Sequence, residues 1–321
     1  MKKRIRIAII VFASAVFLFY AYKLVSYVAF SEMNKQENDN LVVEAVTFNE
    51  DFWDTEDMSE FESEYDEYLP DESLKSDTSG ISGSSGTSGN SGNSRTSGSS
   101  SPSDPSGTGS DSSDSGSKVT ISGRPRKVSG SDTPISVDFD VLWEKNEDVI
   151  GWLYQKDTQI NYPIMQSTDN AYYLRRSFDR KYNVYGCLYL DYRCAADFTD
   201  NTGMIYGHEA QNGSMFGSLA GYKKQEYYDT HKFMYLLTPE ANYRVRIFAG
   251  CIVRTDSKFY KLPVDDDKLA GRIHEAIENS TFKADIDEEK IGSVLILSTC
   301  TYEFANARYL VFGSLEKMNV K

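Results

Sequence analysis

A low-complexity tract in the first half of the chain restricts where a folded domain can lie. Residues 79–117 are almost entirely Ser, Gly, Thr, Asn, Asp and Pro, and residues 44–77 carry fourteen acidic side chains against one basic one. Neither segment can bury enough apolar surface to offset the entropy lost on folding. We therefore predict a disordered linker over residues 31–134, acidic and then Ser/Gly-rich, in which the apolar patch at residues 41–53 forms a transient helix or a partner-binding element.

The same division accounts for the charge of the chain. The net charge is −14, and residues 31–134 alone hold 21 acidic and 7 basic side chains. The remaining 187 residues from position 135 are close to balanced, and they suffice for one folded domain with a core. No basic stretch is long enough to indicate a nucleic-acid partner. A flexible chain of ~100 residues spans roughly 50–60 Å on average, which predicts that the linker holds the domain off the membrane.

The first 30 residues predict a membrane anchor. A basic flank at residues 2–6 precedes an apolar run over residues 7–30 that is interrupted only by Lys23. About 20 apolar residues cross a bilayer, and a lysine near the end of a span can extend its amine to the surface. Because the basic end stays in the cytoplasm, we predict a single-pass signal anchor with the domain outside the cell. A cleaved signal peptide is the alternative.

The pattern of residues 135–321 predicts many strands and few helices. Helices are predicted at 138–146 and 264–279, with a short one at 169–174, and the others are strands. The strands are predicted at residues 148–154, 161–166, 184–191, 203–206, 233–237, 243–254, 293–299 and 308–315. Pro163 should lie only at a sheet edge. We predict a mostly β domain with peripheral helices, a small mixed barrel.

A candidate nucleophile lies at the end of the predicted strand at residues 293–299. The apolar run at 294–297 leads to Cys300, and the next strand begins at Arg308. Two neighbouring strands would place the thiol beside a fixed positive charge, which favours the reactive thiolate. The alternative is an inert core cysteine.

One histidine has a setting that suits catalysis. His208 follows a short apolar strand and precedes a polar, glycine-containing turn, whereas His231 and His274 have no such context. The other cysteines are scattered without a CxxC pair, so we expect no metal site and no cofactor. Cys187 and Cys251 are predicted core residues, and a Cys187–Cys194 disulfide stays open.

These segments resemble those of class B sortases, cysteine transpeptidases of Gram-positive bacteria. The Leu297-Ser298-Thr299-Cys300 sequence resembles the family's Thr-Leu-x-Thr-Cys signature, although Ile296 stands where the family usually has Thr. Arg308 follows in the next strand, as it does in sortases.

The histidine segment carries the same resemblance. Tyr206-Gly207-His208, followed by Asn-Gly-Ser-Met-Phe at residues 212–216, is similar to that of class B members. The resemblance spans roughly residues 137–316. It implies an eight-stranded β-barrel with an N-terminal helix and a helix before the cysteine strand.

The resemblance also implies a mechanism and partners. Cys300 would form a thioacyl intermediate with a C-terminal sorting motif of a secreted protein, and His208 would act as general acid and then base. Arg308 would stabilise the oxyanion. A peptidoglycan precursor or cross-bridge amine would then take the acyl group, joining the protein to the cell wall.

Four further residues are predicted to bind substrate. By motif position, Asn170, Leu174 and Ser298 match family residues of the substrate groove, although packing would equally explain Leu174. The residue after a nucleophile often offers its N–H to an oxyanion, which points to Thr301.

Three other functions stay open at this point. A pilus-polymerising sortase would use the same chemistry with a pilin lysine as the nucleophile. A cell-wall cysteine hydrolase would also need Cys and His, but such enzymes usually present the Cys before the His. A non-catalytic surface-binding domain on a stalk would not depend on Cys300.

Overall fold

The N-terminal apolar run forms one long helix. The computed structural model describes residues 2–50, 52–55 and 133–318, and in it α1 extends over Lys2–Ala45. In the described part of the chain, α1 is the one helix long and apolar enough to cross a membrane, by length and composition alone. Its candidate span, Ile9–Ala45, has a mean hydropathy of 1.9 in its most apolar window, and none of that window is buried in the protein.

The end of α1 and the residues after it pack on the folded domain, although the sequence assigns them to the linker. Leu41 and Ala45 are buried, and strand β1 (Val46–Phe48) pairs with β2 (Ile135–Val137) in an antiparallel two-stranded sheet. A short helix, α2 (Phe52–Thr55), follows. This apolar patch forms helix and strand because its buried side chains pack against an apolar surface of the folded domain. The rest of the predicted linker, residues 56–132, lies outside the described residues.

Eight strands close into a barrel, which confirms the predicted fold class. Going round the barrel, their order is β10-β8-β7-β3-β4-β5-β6-β9. The pairs β4–β5 and β6–β9 are parallel, and the other neighbours are antiparallel. The strands are β3 (Val149–Tyr154), β4 (Asn161–Met165), β5 (Leu188–Leu190), β6 (Thr202–Tyr206), β7 (Phe233–Leu237), β8 (Asn242–Arg254), β9 (Val294–Cys300) and β10 (Ala307–Lys317).

Two details of the strands differ from the sequence pattern. The predicted strand at residues 184–191 is shortened to β5, because a turn with Gly186 at φ 56° precedes it. Pro163 lies inside the closed barrel and pairs with Trp152 on one side. On the other side β5 pairs only with Ile164 and Met165, so the proline occupies a stretch of β4 that lacks a strand partner there.

Three helices lie around the barrel. Asp138 caps α3 (Phe139–Lys145) by accepting hydrogen bonds from the N–H groups of Asp140 and Val141. The short α4 (Gln225–Thr230) precedes β7. The amphipathic α5 (Asp266–Glu278) comes before β9 and buries Ile273. The N-terminal helix and the helix before the cysteine strand are therefore both present, as the resemblance implies.

Candidate active site

The pairing of β9 with β10 places the candidate nucleophile opposite the arginine. Cys300 is the last residue of β9, and its cross-strand partner on β10 is Arg308. Directly opposed residues have Cβ atoms about 4.5–5.5 Å apart. The six-residue loop between the strands closes with Asn306 in the left-handed region, at φ 61°. Thr299 is buried and Cys300 is half-buried, so the thiol lies where the core meets the surface.

The parallel pairing of β6 with β9 brings His208 to the same end of the barrel. Tyr206 is the partner of Ser298, and the Gly207 N–H donates to the Ser298 carbonyl at 3.1 Å. A Cβ on Gly207 would lie 2.5 Å from Leu188 and Phe216 side-chain atoms, so this close approach needs glycine. His208 is the next residue. Its register places it beside the last residues of the cysteine strand.

The environment of His208 favours the neutral imidazole. Burial lowers its pKa below 6.5, and the positive charges of Arg175 and Arg308 act in the same direction, against the hydrogen bond to Leu174. His208 Nε2 lies 2.9 Å from the Leu174 carbonyl oxygen. Because a carbonyl only accepts, the hydrogen bond places the proton of the neutral ring on Nε2.

Two tyrosines that the sequence did not single out lie near the end of the cysteine strand. The Tyr260 hydroxyl lies 2.9 Å from Ser298 Oγ, and the Tyr189 ring stacks on that of Tyr206, the cross-strand partner of Ser298, with the ring centroids 5.3 Å apart. Burial raises the pKa of both tyrosines. Tyr189 belongs to β5 and Tyr260 to the segment after β8. Only the folded barrel brings them together.

Ser298 and Asn170 hold neighbouring segments in this structure. Ser298 is buried, and its Oγ lies 2.9 Å from the Tyr260 hydroxyl. The Asn170 amide donates to Asp191 Oδ2 at 2.9 Å and accepts from the Tyr192 N–H at 3.0 Å. Both ends of the Asn170 side chain therefore have partners within the protein.

Leu174 and Thr301, the other two predicted substrate-binding residues, also make contacts within the protein. The Leu174 side chain is 37% exposed, and its carbonyl holds His208. The Thr301 N–H donates to the Ala307 carbonyl at 3.3 Å, so it is not directed at a substrate oxygen here. The reason is the tight loop between β9 and β10, which uses that N–H to close. The role of the Thr301 N–H as an oxyanion donor stays a prediction.

The Thr301 side chain belongs to an ion-pair network at the same loop. Its hydroxyl accepts from Lys223 Nζ at 2.6 Å and donates to Glu303 at 2.5 Å. Lys223 also pairs with Glu303 at 2.5 Å. Burial opposes the shift, but the hydrogen bonds from Lys223 and Thr301 lower the pKa of Glu303 to about 2.

A buried carboxylate connects the loops around the site. Asp191 is 0% exposed and accepts from Arg193 Nε and Nη2 at 2.8 and 2.7 Å, from Tyr206 at 2.8 Å and from Asn170 at 2.9 Å. Burial opposes ionisation, but these donors lower its pKa to about 2. Arg193 also donates to the Tyr260 carbonyl at 3.3 Å. The sequence signal that could have pointed to Asp191 is its position directly after the apolar strand at 188–190.

The other three cysteines differ from Cys300. Cys187, Cys194 and Cys251 are buried, and all four thiols are free, so Cys187 and Cys194 are not joined in a disulfide. Burial raises the pKa of Cys194 to about 11 and that of Cys251 to about 12, and raises that of Cys187 too. Cys300 alone is accessible. Among the described residues, no group of His, Cys, Asp or Glu could hold a metal ion.

Comparison with known proteins places this site in context. No protein-family model matches the sequence. The sequence is 30% identical over 179 residues to sortase B of Listeria monocytogenes, covering 54% of this chain and 72% of that protein. The structure superposes on a Staphylococcus aureus sortase B–substrate complex with a TM-score of 0.52 and 25% identity, covering 56% of this chain and 85% of that one. A sortase B complexed with triglycine gives the same score and identity, at 56% and 86% coverage.

Proposed function

This chain belongs to the sortase B family, and we propose that it is a membrane-anchored, extracellular cysteine transpeptidase in which Cys300, His208 and Arg308 carry out the acyl transfer. The observation that supports these roles most directly is the cross-strand pairing of Arg308 with Cys300. The position of His208 after β6, the parallel neighbour of β9, adds the proton carrier at the same end of the barrel. Helix α1 is the proposed anchor.

In the first half-reaction, the Cys300 sulfur attacks the carbonyl carbon of a peptide bond in the sorting motif. The thiol proton passes to neutral His208, and Arg308 donates hydrogen bonds to the developing oxyanion. The C–N bond then breaks, and His208 returns the proton to the leaving amine. The products are a thioacyl enzyme and the released C-terminal fragment.

In the second half-reaction, a primary amine attacks the thioacyl carbon. His208 accepts the proton of the amine, the C–S bond breaks, and Cys300 leaves as the thiolate. The new amide joins the secreted protein to a cell-wall peptide. The solved sortase B complexed with triglycine supports an acceptor of this kind.

We propose that the substrate groove runs past Tyr189 and Tyr260 toward the exposed Leu174 side chain. Tyr260 is hydrogen-bonded to Ser298, two residues before Cys300, and the Tyr189 ring stacks on Tyr206, the cross-strand partner of Ser298. Asn170 contributes by holding Asp191 and Tyr192 in place. A sortase B of Staphylococcus aureus has been solved as a substrate complex, which supports a substrate-binding groove in this fold.

The test is an intact-mass assay on the full chain in detergent, with a panel of sorting-motif peptides. Each peptide is incubated with and without diglycine, a diaminopimelate mimic or a lysine-containing pilin peptide. We expect a thioacyl adduct on the wild-type protein and an amine-dependent product. The adduct should be absent in Cys300→Ala, and product formation should be lost in His208→Ala.

His274→Ala is the matched control, because His274 is exposed on α5 and its ring lies against Glu288, away from the strand ends that carry the site. It should leave both adduct and product unchanged. Transfer to the pilin lysine alone would favour the pilus-polymerising function. Equal product from wild type and Cys300→Ala would contradict the proposed nucleophile.

A further inference from the structure

Helix α1 contacts the barrel directly after its apolar run. Asn34 accepts from the Asn183 amide at 3.0 Å, Glu37 accepts from the Asp179 N–H at 3.0 Å, and Asn38 donates to the Asn161 carbonyl at 3.0 Å. The apolar run ends at Phe30. At 1.5 Å per residue, the first of these contacts lies only about 6 Å along the helix from Phe30.

The last turns of the apolar run also face the barrel. The Phe30 and Tyr182 rings are 6.1 Å apart, and those of Tyr27 and Tyr185 are 5.5 Å apart. A cavity of about 450 Å³ separates this part of α1 from the barrel, and His208 lines it. The barrel segment 175–185 and the candidate active site therefore lie alongside the end of the proposed membrane span.

The thickness of a bilayer shows at which depth relative to the membrane these contacts lie. A hydrocarbon core of about 30 Å takes about 20 helical residues. Counted from the basic flank that ends at Arg6, the core ends near Ser26. Tyr27 and Phe30 then lie in the headgroup layer, where tyrosine is enriched. Tyr182 and Tyr185, which contact them, must lie at the same level.

We propose that residues 175–185 form a membrane-contact segment that rests in the headgroup layer, and that its partner is an anionic lipid surface. This proposal rests on the anchor role of α1 proposed above. Residues 175–182 hold four basic side chains and one acidic one, in a domain that is acidic overall. Tyr182 is 66% exposed, and the Lys181 side chain is 81% exposed.

The acidic neighbours leave this surface with an excess of positive charge. Asp179 pairs with Lys181, Asp148 pairs with Arg180 at 3.3 Å, and Glu37 accepts from the Asp179 N–H, so four basic side chains face three acidic ones. Arg175 donates to the Val184 carbonyl, and Arg176 stacks over Tyr172. Each basic residue near an anionic surface contributes roughly 1 kcal/mol of attraction. The segment therefore combines cations and tyrosines at the level where headgroups lie.

Because α1 contacts the barrel directly, the low-complexity tract does not connect the proposed membrane span to the active site. Phe48 pairs with Ile135, and the Asn49 N–H donates to the Pro134 carbonyl at 2.9 Å. Both ends of residues 56–132 are thus attached to the barrel next to each other. The length of that tract does not set the height of the active site.

The experiment places spin labels on the full chain in vesicles. In a Cys300→Ala background the remaining cysteines are buried, so a nitroxide can be attached at Tyr182→Cys or, as control, at Glu240→Cys. Glu240 lies in the β7–β8 turn, at the end of β8 opposite to Arg254 and the active site. The vesicles contain phosphatidylcholine, phosphatidylglycerol and a nickel-chelating lipid, and flotation shows that the protein is inserted.

We expect the nickel headgroups to broaden the spectrum of the label at position 182 strongly and that at position 240 little. Charge reversal by Arg180→Glu with Lys181→Glu should reduce the broadening at position 182. Deletion of residues 57–131 should leave both spectra unchanged. Equal broadening at the two positions would contradict the proposed membrane contact of residues 175–185. If the deletion increased the broadening at position 240, the deleted tract would act as a spacer between the membrane and the barrel.

The outcome is independent of catalysis, because every labelled protein lacks the Cys300 thiol. Failure of the proposed transpeptidation would leave the spectra as expected. Failure of α1 to insert would appear in the flotation step.

Discussion

Replacing Asp191 by Asn should destabilise the protein in a pH-dependent manner. Asp191 is fully buried, and although burial opposes ionisation, its donors hold its pKa at about 2, below the ordinary value of 3.8. At about 1.4 kcal/mol per pKa unit, the carboxylate contributes about 2 kcal/mol to the free energy of unfolding at neutral pH. Asn keeps the size of the side chain but not the charge that Arg193 requires.

The sign of the pH dependence follows from the lowered pKa. The contribution is complete above the unfolded pKa and is lost as the pH falls through the folded value of about 2. Between pH 5 and pH 2.5, about 1.5 kcal/mol of the difference between wild type and Asp191→Asn should disappear. Groups that both proteins share cancel in this difference.

The assay is urea unfolding of wild type, Asp191→Asn and Asp197→Asn at pH 7, 5, 3.5 and 2.5. Asp197 is exposed in the same loop and bonds only Thr199 among the hydrogen bonds of the described residues, so its replacement should change the stability by less than about 0.5 kcal/mol. A difference for Asp191→Asn that stays constant down to pH 2.5 would refute the reasoning. So would the absence of any difference at pH 7.

Three further predictions concern the site and the anchor helix. Arg308→Lys replaces a planar fork by a point charge, so kcat/KM for peptide transfer should fall about 100-fold; an unchanged kcat/KM would exclude Arg308 as oxyanion donor. Because burial lowers the pKa of His208, the acidic limb of kcat/KM against pH should lie below 6.5; a limb above 6.5 that is absent in His208→Ala would contradict this environment. Leu41→Ala should cost about 2–5 kcal/mol in urea unfolding, because Leu41 is 5% exposed. Val43→Ala, on the same helix but 83% exposed, should cost below about 0.5 kcal/mol, and equal losses would show that the end of α1 does not dock.

The sequence predicted the barrel strands well where apolar residues follow one another without interruption. Strands β3, β7 and β9 lie within a residue or so of their predicted bounds because their burial is nearly continuous. Barrel closure did not follow from such patterns. It depends on the parallel pairs β4–β5 and β6–β9, which join segments far apart in the chain, and the family resemblance supplied it.

The N-terminal region was harder to predict because its composition hides its packing. Leu41, Ala45 and Phe52 belong to a short apolar patch within a long polar and acidic region, so the average over residues 31–134 resembles a linker. Each of the three is nevertheless buried, and the Phe52 ring lies 5.6 Å from that of Tyr235. A few apolar side chains are enough to dock a segment when the folded domain offers an apolar surface. The average composition of the segment gives no information about that surface.

The candidate site divides in a similar way. His208, Cys300 and Arg308 are recognisable because each stands at a strand end in a distinctive local sequence. Tyr189, Tyr260 and Asp191 have ordinary local sequences, and their positions follow from strand pairing and from the hydrogen bonds of Arg193. Loop hydrogen bonds, such as the one that engages the Thr301 N–H, depend on which turn forms and leave no trace in the pattern.

The docking of α1 changes what the long acidic and Ser/Gly-rich tract can do. If the tract were the flexible connection between the anchor and the enzyme, the active site could move over roughly 50–60 Å. Shortening residues 79–117 would then reduce the anchoring of substrate proteins to the cell wall. In this structure β1 and β2 join the two ends of the tract on the barrel, while α1 connects the barrel to its apolar run without interruption. With α1 as the proposed anchor, helix geometry would set the reach of the active site. Cell-wall anchoring of substrate proteins should therefore persist when residues 79–117 are shortened. The substrates of the enzyme would have to reach the active site at the membrane surface.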